Sequence, residues 1–307
     1  MSIDAMPVTP TSAQQLILPR SLWLRAVVEL SKPGITLMEV VTAAVGFLVA
    51  KPWEHYGAWE MVLRFAGLTV GVLALGASAG AFNHLLERTT DAVMQRTSLR
   101  PLPSGKITPH VAGIFATLAF VVGAGVLTML DILVAVLGIA TVVLYVVVYT
   151  PLKTRTSVAL FVGGVPGALP VVGGWVAGGG SFVSADAAIL GAIMFWWQLP
   201  HFLALAIMYA DDYRRGGIVL LAGGRVRPLA WHTLGYSVLL VASSIAWFVL
   251  GRAGTLYFVG AAILSVWLLV RCVHLVRVPN SANARRVLMT TYIFLMGLFL
   301  LAAVDVL

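Results

Sequence analysis

Three polar side chains, Asn83, Glu87 and Asp91, stand at regular intervals at the end of a long apolar stretch of this chain. Their spacing of i, i+4 and i+8 places them on one face of a helix, along a stripe roughly 12 Å long at about 1.5 Å per residue. Carboxylate and amide oxygens are ligands that a hard divalent cation accepts, and Mg²⁺ usually takes one or two carboxylates together with phosphate oxygens. The stripe therefore predicts a metal site in which Asn83, Glu87 and Asp91 are ligands and catalytic residues.

Basic side chains follow the stripe at Arg88, Arg96 and Arg100. Arginine donates to phosphate in a bidentate geometry, so these residues are candidates to bind a phosphorylated substrate. The alternative is a loop whose charges pair with one another and follow the rule that cytoplasmic loops are positive. Because the acids begin inside the apolar segment, where polar groups are costly, the pattern favours the functional interpretation.

The composition indicates what surrounds this site. The 307 residues are 60% hydrophobic and 10% charged, with a mean hydropathy of +0.97, whereas soluble domains are about half apolar. Apolar runs of about 20 residues are typical of transmembrane helices. We therefore expect an all-α polytopic membrane protein with nine spans and no soluble module. The predicted spans are residues 35–50, 61–86, 109–128, 132–149, 157–177, 187–208, 229–250, 255–273 and 287–304.

The N-terminal region has no apolar core typical of a signal peptide and is not rich in arginine, which argues against a cleaved signal or a transit peptide. We expect residues 1–20 to be a flexible tail, followed by a single membrane domain over residues 21–307. Residues 21–31 predict a short amphipathic helix at the membrane interface, or alternatively an extension of the first span. The single cysteine, Cys272, excludes a disulfide framework, a cysteine-based zinc site and an iron–sulfur cluster within the monomer.

The distribution of cations predicts the orientation. Alternate loops, counted from the N-terminus, carry 17 of the 20 lysines and arginines, whereas the opposite loops carry only Lys51, Arg64 and Arg252. Because cytoplasmic loops are enriched in these residues, the N-terminus is expected in the cytoplasm and the C-terminus outside. The net charge of +8 largely reflects this asymmetry. It favours anionic lipid headgroups or a phosphorylated substrate as partners, and no basic nucleic-acid motif is present.

A weak internal repeat links the first acid cluster to a second one. The second span runs into the loop after Asn83, and the sixth span runs into Asp211 and Asp212, which are followed by Arg214 and Arg215. This pattern predicts two four-helix halves that face each other across a cavity, with the ninth span appended. Adjacent helical residues point about 100° apart, so Asp211 is either a further metal ligand or a solvent-facing residue.

Four ordered segments resemble the UbiA-type intramembrane prenyltransferases, and in detail their protohaem IX farnesyltransferase (haem O synthase) branch. The resemblance covers residues 32–221, and the last three spans agree only in topology. Two positions depart from the pattern: Glu87 stands where many members carry Asp, and the second acid motif is an adjacent pair, of which Asp212 matches. The matching segments are residues 83–102, 149–156, 163–175 and 197–218.

This resemblance implies a UbiA-type helix bundle that transfers the farnesyl group of farnesyl diphosphate to a vinyl group of haem b, with addition of water and release of diphosphate. It implies Mg²⁺ as cofactor, and haem A synthase or a terminal oxidase assembly as the recipient of the product. The expected location is a bacterial inner membrane with the active site toward the cytoplasm; the mitochondrial inner membrane is the alternative. The implied catalytic and metal-binding residues are Asn83, Glu87, Asp91 and Asp212, with Asp211 as a further ligand, and the implied diphosphate-binding residues are Arg96, Arg100, Lys153, Arg155 and Tyr149.

Two histidines are candidates to face haem, His201 after Pro200 and His84 beside Asn83. The more common role of a buried histidine is a hydrogen bond to a neighbouring helix. Two other functions stay open: a related prenyltransferase with an aromatic acceptor such as a quinone precursor, and a transporter. Transporters usually place ionisable groups near the membrane midplane, whereas here nearly every acid lies at the cytoplasmic ends of the spans. Glu39, one turn inside the first span, has no assigned role.

Overall fold

Helices form most of residues 19–306, the part of the chain that this computed structural model describes, and no strand occurs within that part. This confirms the predicted all-α class. The helices are α1 (Arg20–Leu30), α2 (Pro33–Val49), α3 (Ala58–Val93), α4 (Pro109–Leu130), α5 (Ile132–Val143), α6 (Thr150–Leu152), α7 (Ala159–Ala177), α8 (Ala185–Met208), α9 (Ala210–Arg215), α10 (Val226–Val249), α11 (Thr255–Arg277) and α12 (Ser281–Val306). A π-helical segment, Leu144–Tyr149, joins α5 to α6.

Eight helical segments within the described residues are long and apolar enough to cross a membrane. A ninth results if α1 and α2, which meet at a bend of 49°, are counted as one span. The chain is therefore a multi-pass membrane protein, in agreement with the nine predicted spans. Helix α1 coincides with the predicted interfacial segment to within one residue. The predicted flexible tail lies outside the described residues except for Pro19 and Arg20.

The packing of α2 against α7 depends on glycine. A Cβ atom at Gly174 would stand 1.9 Å from the carbonyl oxygen of Ala43, and one at Gly46 would stand 2.1 Å from that of Val171. The two backbones therefore touch, as small residues allow between membrane helices. This contact holds α2 against α7, although more than 100 residues of sequence separate the two helices.

The remaining helices pack around this pair. Helix α3 packs against α2 and α4, and α8 packs against α7, α10 and α12. Helix α12 also contacts α2 and buries Phe294 and Leu295 completely. The ninth span thus packs within the bundle, whereas the repeat predicted it as an appendage, because its apolar side chains find partners on several helices.

Helix α3 is the longest element, with 36 residues. At about 1.5 Å per residue it spans roughly 54 Å, well beyond the roughly 30 Å of a bilayer's hydrocarbon core. It continues without a break to Val93. This unbroken helix positions the acid stripe at one end of the bundle.

Candidate active site

The predicted stripe lies on one buried face at the end of α3. Asn83, Glu87 and Asp91 are 1%, 5% and 0% exposed. Burial of two carboxylates and an amide requires partners, because an unpaired buried charge is strongly destabilising. Those partners come from three other segments of the chain.

Each member of the stripe contacts a basic side chain. The ammonium group of Lys32 donates a hydrogen bond to Oδ1 of Asn83, and Lys153 forms an ion pair with Glu87. Nη1 of Arg100 donates to both carboxylate oxygens of Asp91, at 2.9 and 2.8 Å. The site therefore brings together oxygen ligands and cations, and these cations include Lys153 and Arg100, for which the resemblance implies diphosphate binding.

Asn83 also organises the stripe internally. Its Nδ2 donates to Oε1 of Glu87 at 2.7 Å and to Oγ1 of Thr150 at 2.9 Å. Thr150 in turn donates to the carbonyl oxygen of Tyr145, at 2.8 Å, in the π-helical segment. The irregular end of α5 thus supports the acid stripe from the side, a placement that π-helical segments often have at functional sites.

The second acid motif reaches the same end of the bundle through Asp212. Its carboxylate accepts hydrogen bonds from the backbone N–H groups of Gln95, at 2.9 Å, and Arg96, at 3.1 Å, which follow the end of α3. Arg215 is its ion-pair partner. The hydrogen bond from Arg215 and those from the two backbone amides hold the pKa of Asp212 below its ordinary value.

Asp211, next to Asp212, points away from this site. It is exposed and forms an ion pair with Arg214 at 3.0 Å. The structure therefore places Asp211 at the surface, which is the solvent-facing alternative left open by the sequence. Of the adjacent pair, only Asp212 contacts the segment that follows the stripe.

The other predicted diphosphate-binding residues lie around this centre. The guanidinium group of Arg96 stands 5.2 Å from the centroid of the Tyr209 ring, and the Tyr149 ring stacks on Tyr145 at 5.5 Å. Arg155 is exposed beyond the end of α6. The backbone N–H of Val219 donates to the carbonyl oxygen of Lys153 at 2.9 Å, which joins the two basic loops.

The two histidines occupy different interfaces. His201 lies on α8 and faces α12, where its Nδ1 lies 3.1 Å from Oγ1 of Thr291. Its ring stacks on Trp197, with the ring centroids 4.9 Å apart. His84 is buried on α3, and its Nδ1 has no hydrogen-bond partner within residues 19–306. The structure therefore does not bring these two residues together. The contact of His201 with Thr291 is the hydrogen bond to a neighbouring helix that was its alternative role.

Lys32 is the principal site residue that the sequence reasoning missed. It lies at the bend between α1 and α2 with φ 48° and ψ 60°, a left-handed conformation that costs a non-glycine residue about 1 to 2 kcal/mol. Its ammonium group also donates to the Tyr145 hydroxyl at 3.3 Å. The sequence feature that could have identified Lys32 is its position immediately before Pro33, the proline that begins α2.

Glu39 lines a small apolar cavity enclosed by α2, α3, α4, α5 and α7. The cavity wall on α3 includes Gly76 and Ala79, which precede Asn83 by about two turns and one turn. The cavity therefore lies directly below the acid stripe along α3. Apart from Glu39 and Thr141, its lining is apolar or glycine.

The donor set of the stripe fits Mg²⁺ chemically. Two carboxylates and an amide share one helix face, and Asp212 lies beside the segment that follows them. In the described part of the chain, no three His, Cys, Asp or Glu side chains form a group able to hold a metal ion. Because lysine and arginine side chains occupy the carboxylates, a metal ion would bind only if some of these pairs opened.

A multi-helix membrane bundle with buried carboxylates and cations above an apolar cavity is the arrangement expected of an intramembrane enzyme that acts on an anionic, lipid-like substrate. Residues 40–299 match the UbiA prenyltransferase family. The chain belongs to this family and is a prenyltransferase. Family membership excludes the transporter alternative.

Two relatives illustrate the similarity in sequence. The chain is 37% identical over 302 residues to the protoheme IX farnesyltransferase of Anaeromyxobacter dehalogenans, with 95% of this chain and 98% of the relative covered. It is 36% identical over 309 residues to the protoheme IX farnesyltransferase of Marinobacter nauticus, with 99% and 98% covered. These alignments extend through the last three spans, which the motifs did not cover.

Solved structures show the same fold at low sequence identity. A digeranylgeranylglyceryl phosphate synthase gives a TM-score of 0.76 at 18% identity, with 93% of this chain and 99% of that chain covered. A UbiA homologue from Archaeoglobus fulgidus bound to GPP and Mg²⁺ gives a TM-score of 0.61 at 15% identity, with 91% and 99% covered. The predicted UbiA-type bundle is therefore confirmed.

Proposed function

We propose that this chain transfers the farnesyl group of farnesyl diphosphate to a vinyl group of protohaem IX, with addition of water, to give haem O and diphosphate. The observation that carries the proposal is the buried stripe of Asn83, Glu87 and Asp91 with its basic partners, above an apolar cavity. The names and full-length similarity of the two relatives support the choice of farnesyl donor and haem acceptor.

The diphosphate would bind at the end of the bundle where the basic residues converge. Lys153 and Arg100 donate to it from the centre, and Arg96, Arg155 and the Tyr149 hydroxyl donate from the rim. Held by Asn83, Glu87, Asp91 and Asp212, Mg²⁺ would supply positive charge that stabilises the departing diphosphate. Its use is supported by the Archaeoglobus homologue bound to GPP and Mg²⁺.

The isoprenoid chain would enter the apolar cavity below the stripe, whose lining includes Leu68, Leu75 and Leu137. The bond between farnesyl C1 and the diphosphate oxygen breaks, and the oxygen keeps the electron pair. The π electrons of the haem vinyl group then form the new carbon–carbon bond. Water adds to the resulting cation, which leaves a hydroxyl group and releases one proton.

His201 is the proposed contact to the haem substrate, and His84 is a second candidate. The hydrogen bond between Nδ1 of His201 and Thr291 would fix the ring, so that Nε2 is the nitrogen available to an iron. We further propose that the protein lies in a bacterial inner membrane. The acid stripe would face the cytoplasm, because the cation distribution predicts that orientation. Delivery of the product to haem A synthase or a terminal oxidase assembly stays a prediction.

The test uses purified protein with farnesyl diphosphate, haem b and Mg²⁺. Mass spectrometry of the wild-type reaction should detect haem carrying a farnesyl group and a hydroxyl group. Asp91→Asn and Asp212→Asn should each abolish Mg²⁺-dependent release of diphosphate, whereas Asp211→Asn should keep it, because Asp211 pairs with Arg214 at the surface. Product formed on an aromatic acceptor but not on haem would reject haem as the substrate. Wild-type turnover in Asp91→Asn would reject the site.

A further inference from the structure

We propose that Lys32 is an exchangeable counter-ion of the diphosphate site. In the free protein it binds Asn83, and it transfers to the diphosphate when metal and diphosphate bind together. Binding of the metal ion and binding of the diphosphate are then coupled, so that neither binds tightly alone. The inference rests on the proposed function and gives a role in it to a residue outside the four matching segments.

The competition between cations follows from the contacts of the stripe. Oδ1 of Asn83 accepts from Lys32, Glu87 pairs with Lys153, and both oxygens of Asp91 accept from Arg100. These are the oxygens that a metal ion would need. A metal ion that arrives alone must displace three basic groups. These groups then stay near the metal ion without a counter-charge, and like charges repel strongly in an environment that excludes water.

Binding of diphosphate together with the metal ion removes this repulsion. Its oxygens accept charge-assisted hydrogen bonds from the displaced ammonium and guanidinium groups. The stripe oxygens become free for the metal ion at the same time. Because coupling between two ligands is reciprocal, a bound metal ion must raise the affinity for diphosphate by the factor with which diphosphate raises the affinity for the metal ion.

Lys32 is the basic residue best placed to exchange. Lys153 and Arg100 contact carboxylates, whereas the two partners of Lys32 are neutral, the amide of Asn83 and the hydroxyl of Tyr145. Hydrogen bonds between two charged groups are stronger than those with a neutral partner. Lys32 also lies at the 49° bend between α1 and α2, outside the helix that carries the stripe.

The experiment measures binding by calorimetry in lipid nanodiscs, with Mg²⁺ alone, inorganic diphosphate alone, and both together. In Lys32→Met, the affinity for Mg²⁺ alone should rise about threefold, because a competing cation is removed. The affinity for diphosphate in the presence of Mg²⁺ should fall about tenfold, because a charge-assisted hydrogen bond is lost. Lys106→Met is the matched control, since within residues 19–306 the ammonium group of Lys106 forms a hydrogen bond to the Leu99 carbonyl oxygen and to no other group, and both affinities should stay unchanged.

The two opposite changes distinguish exchange from a structural role. If Lys32→Met lowers both affinities together, or changes neither, the inference is wrong. Lys32→Arg keeps the positive charge and should restore the affinity for diphosphate; failure of this variant while the bundle stays folded would also overturn it. If the wild-type protein binds no diphosphate with Mg²⁺, the proposed function itself fails, and the role of Lys32 falls with it.

Discussion

The carboxylate of Asp212 accepts a hydrogen bond from the backbone N–H of Gln95 at 2.9 Å, across 117 residues of sequence. Gln95 follows Asp91 by four residues, so this contact joins α9 to the loop after α3. The acid that the family motif assigns to the second cluster thus contacts the segment that follows the first cluster. In the free protein, Asp212 positions the loop that carries Arg96 and Arg100.

The first prediction concerns the pH dependence of this loop contact. The pKa of Asp212 is lowered in the folded protein. The contribution of this carboxylate to holding the Gln95–Arg96 loop against α9 is therefore complete above the ordinary pKa of an aspartate. That contribution is lost only as the pH falls through the lowered value, below about pH 4. Hydrogen exchange, corrected for the intrinsic effect of pH, should show that the Gln95 and Arg96 amides stay protected from neutral pH down to that range.

Asp212→Asn is the variant that tests the cause. An amide has one acceptor oxygen instead of two and loses the ion pair with Arg215, so the same two amides should exchange faster already at neutral pH. Asp211→Asn should leave them protected. Loss of protection in the wild-type protein well above pH 4 would contradict the assignment of this contact to the Asp212 carboxylate.

The second prediction concerns His201. His201→Ala should lower the affinity for haem b, followed by absorption in the Soret region, while binding of farnesyl diphosphate stays intact. Thr291→Val removes the partner of Nδ1 and should weaken haem binding about tenfold, as is typical when a residue that orients a metal ligand is lost. His232→Ala is a suitable control because His232 is exposed. Unchanged haem binding in His201→Ala would leave the hydrogen bond to α12 as the role of this residue.

Local periodicity made part of this site predictable. The four-residue spacing of Asn83, Glu87 and Asp91 is a property of one helix, and α3 has the required geometry. The contacts of Asn83 with Lys32 and Thr150 join residues 51 and 67 positions apart, and no pattern within a helix encodes such distances. The same holds for the place of α12 in the bundle, because helix packing depends on all the side chains along the contacting faces.

The third prediction concerns the packing of α2 against α7. Gly174→Ala would place a Cβ atom 1.9 Å from the Ala43 carbonyl oxygen, so the helices must separate. We expect it to destabilise the folded protein by roughly 1 to 3 kcal/mol, seen as a lower midpoint of thermal unfolding in nanodiscs. Gly173→Ala is the matched control, since a Cβ atom there meets nothing within 4 Å. Equal midpoints for the two variants would show that the α2–α7 contact is not close enough to require glycine.

The fourth prediction concerns the carboxyl group of Glu39 in the apolar cavity. Within residues 19–306 it forms no ion pair and no side-chain hydrogen bond, and a Cβ atom at Gly76 would stand 2.4 Å from its Oε2. Methionine has a similar length and flexibility without the polar group. Because an unpaired polar group inside a membrane is costly, Glu39→Met should stabilise the folded protein by about 1 to 3 kcal/mol.

The matched control is Glu60→Met, at the other end of α3. Glu60 forms an exposed ion pair with Arg64 at 3.0 Å, and such pairs contribute little to stability, about 0 to 1 kcal/mol. Its unfolding midpoint should therefore stay close to that of the wild-type protein. Glu39 lines the cavity proposed for the isoprenoid chain but does not contact the acid stripe, so Glu39→Met should keep the binding of inorganic diphosphate with Mg²⁺. A stable Glu39→Met protein that no longer binds diphosphate with Mg²⁺ would instead connect this carboxyl group to the diphosphate site.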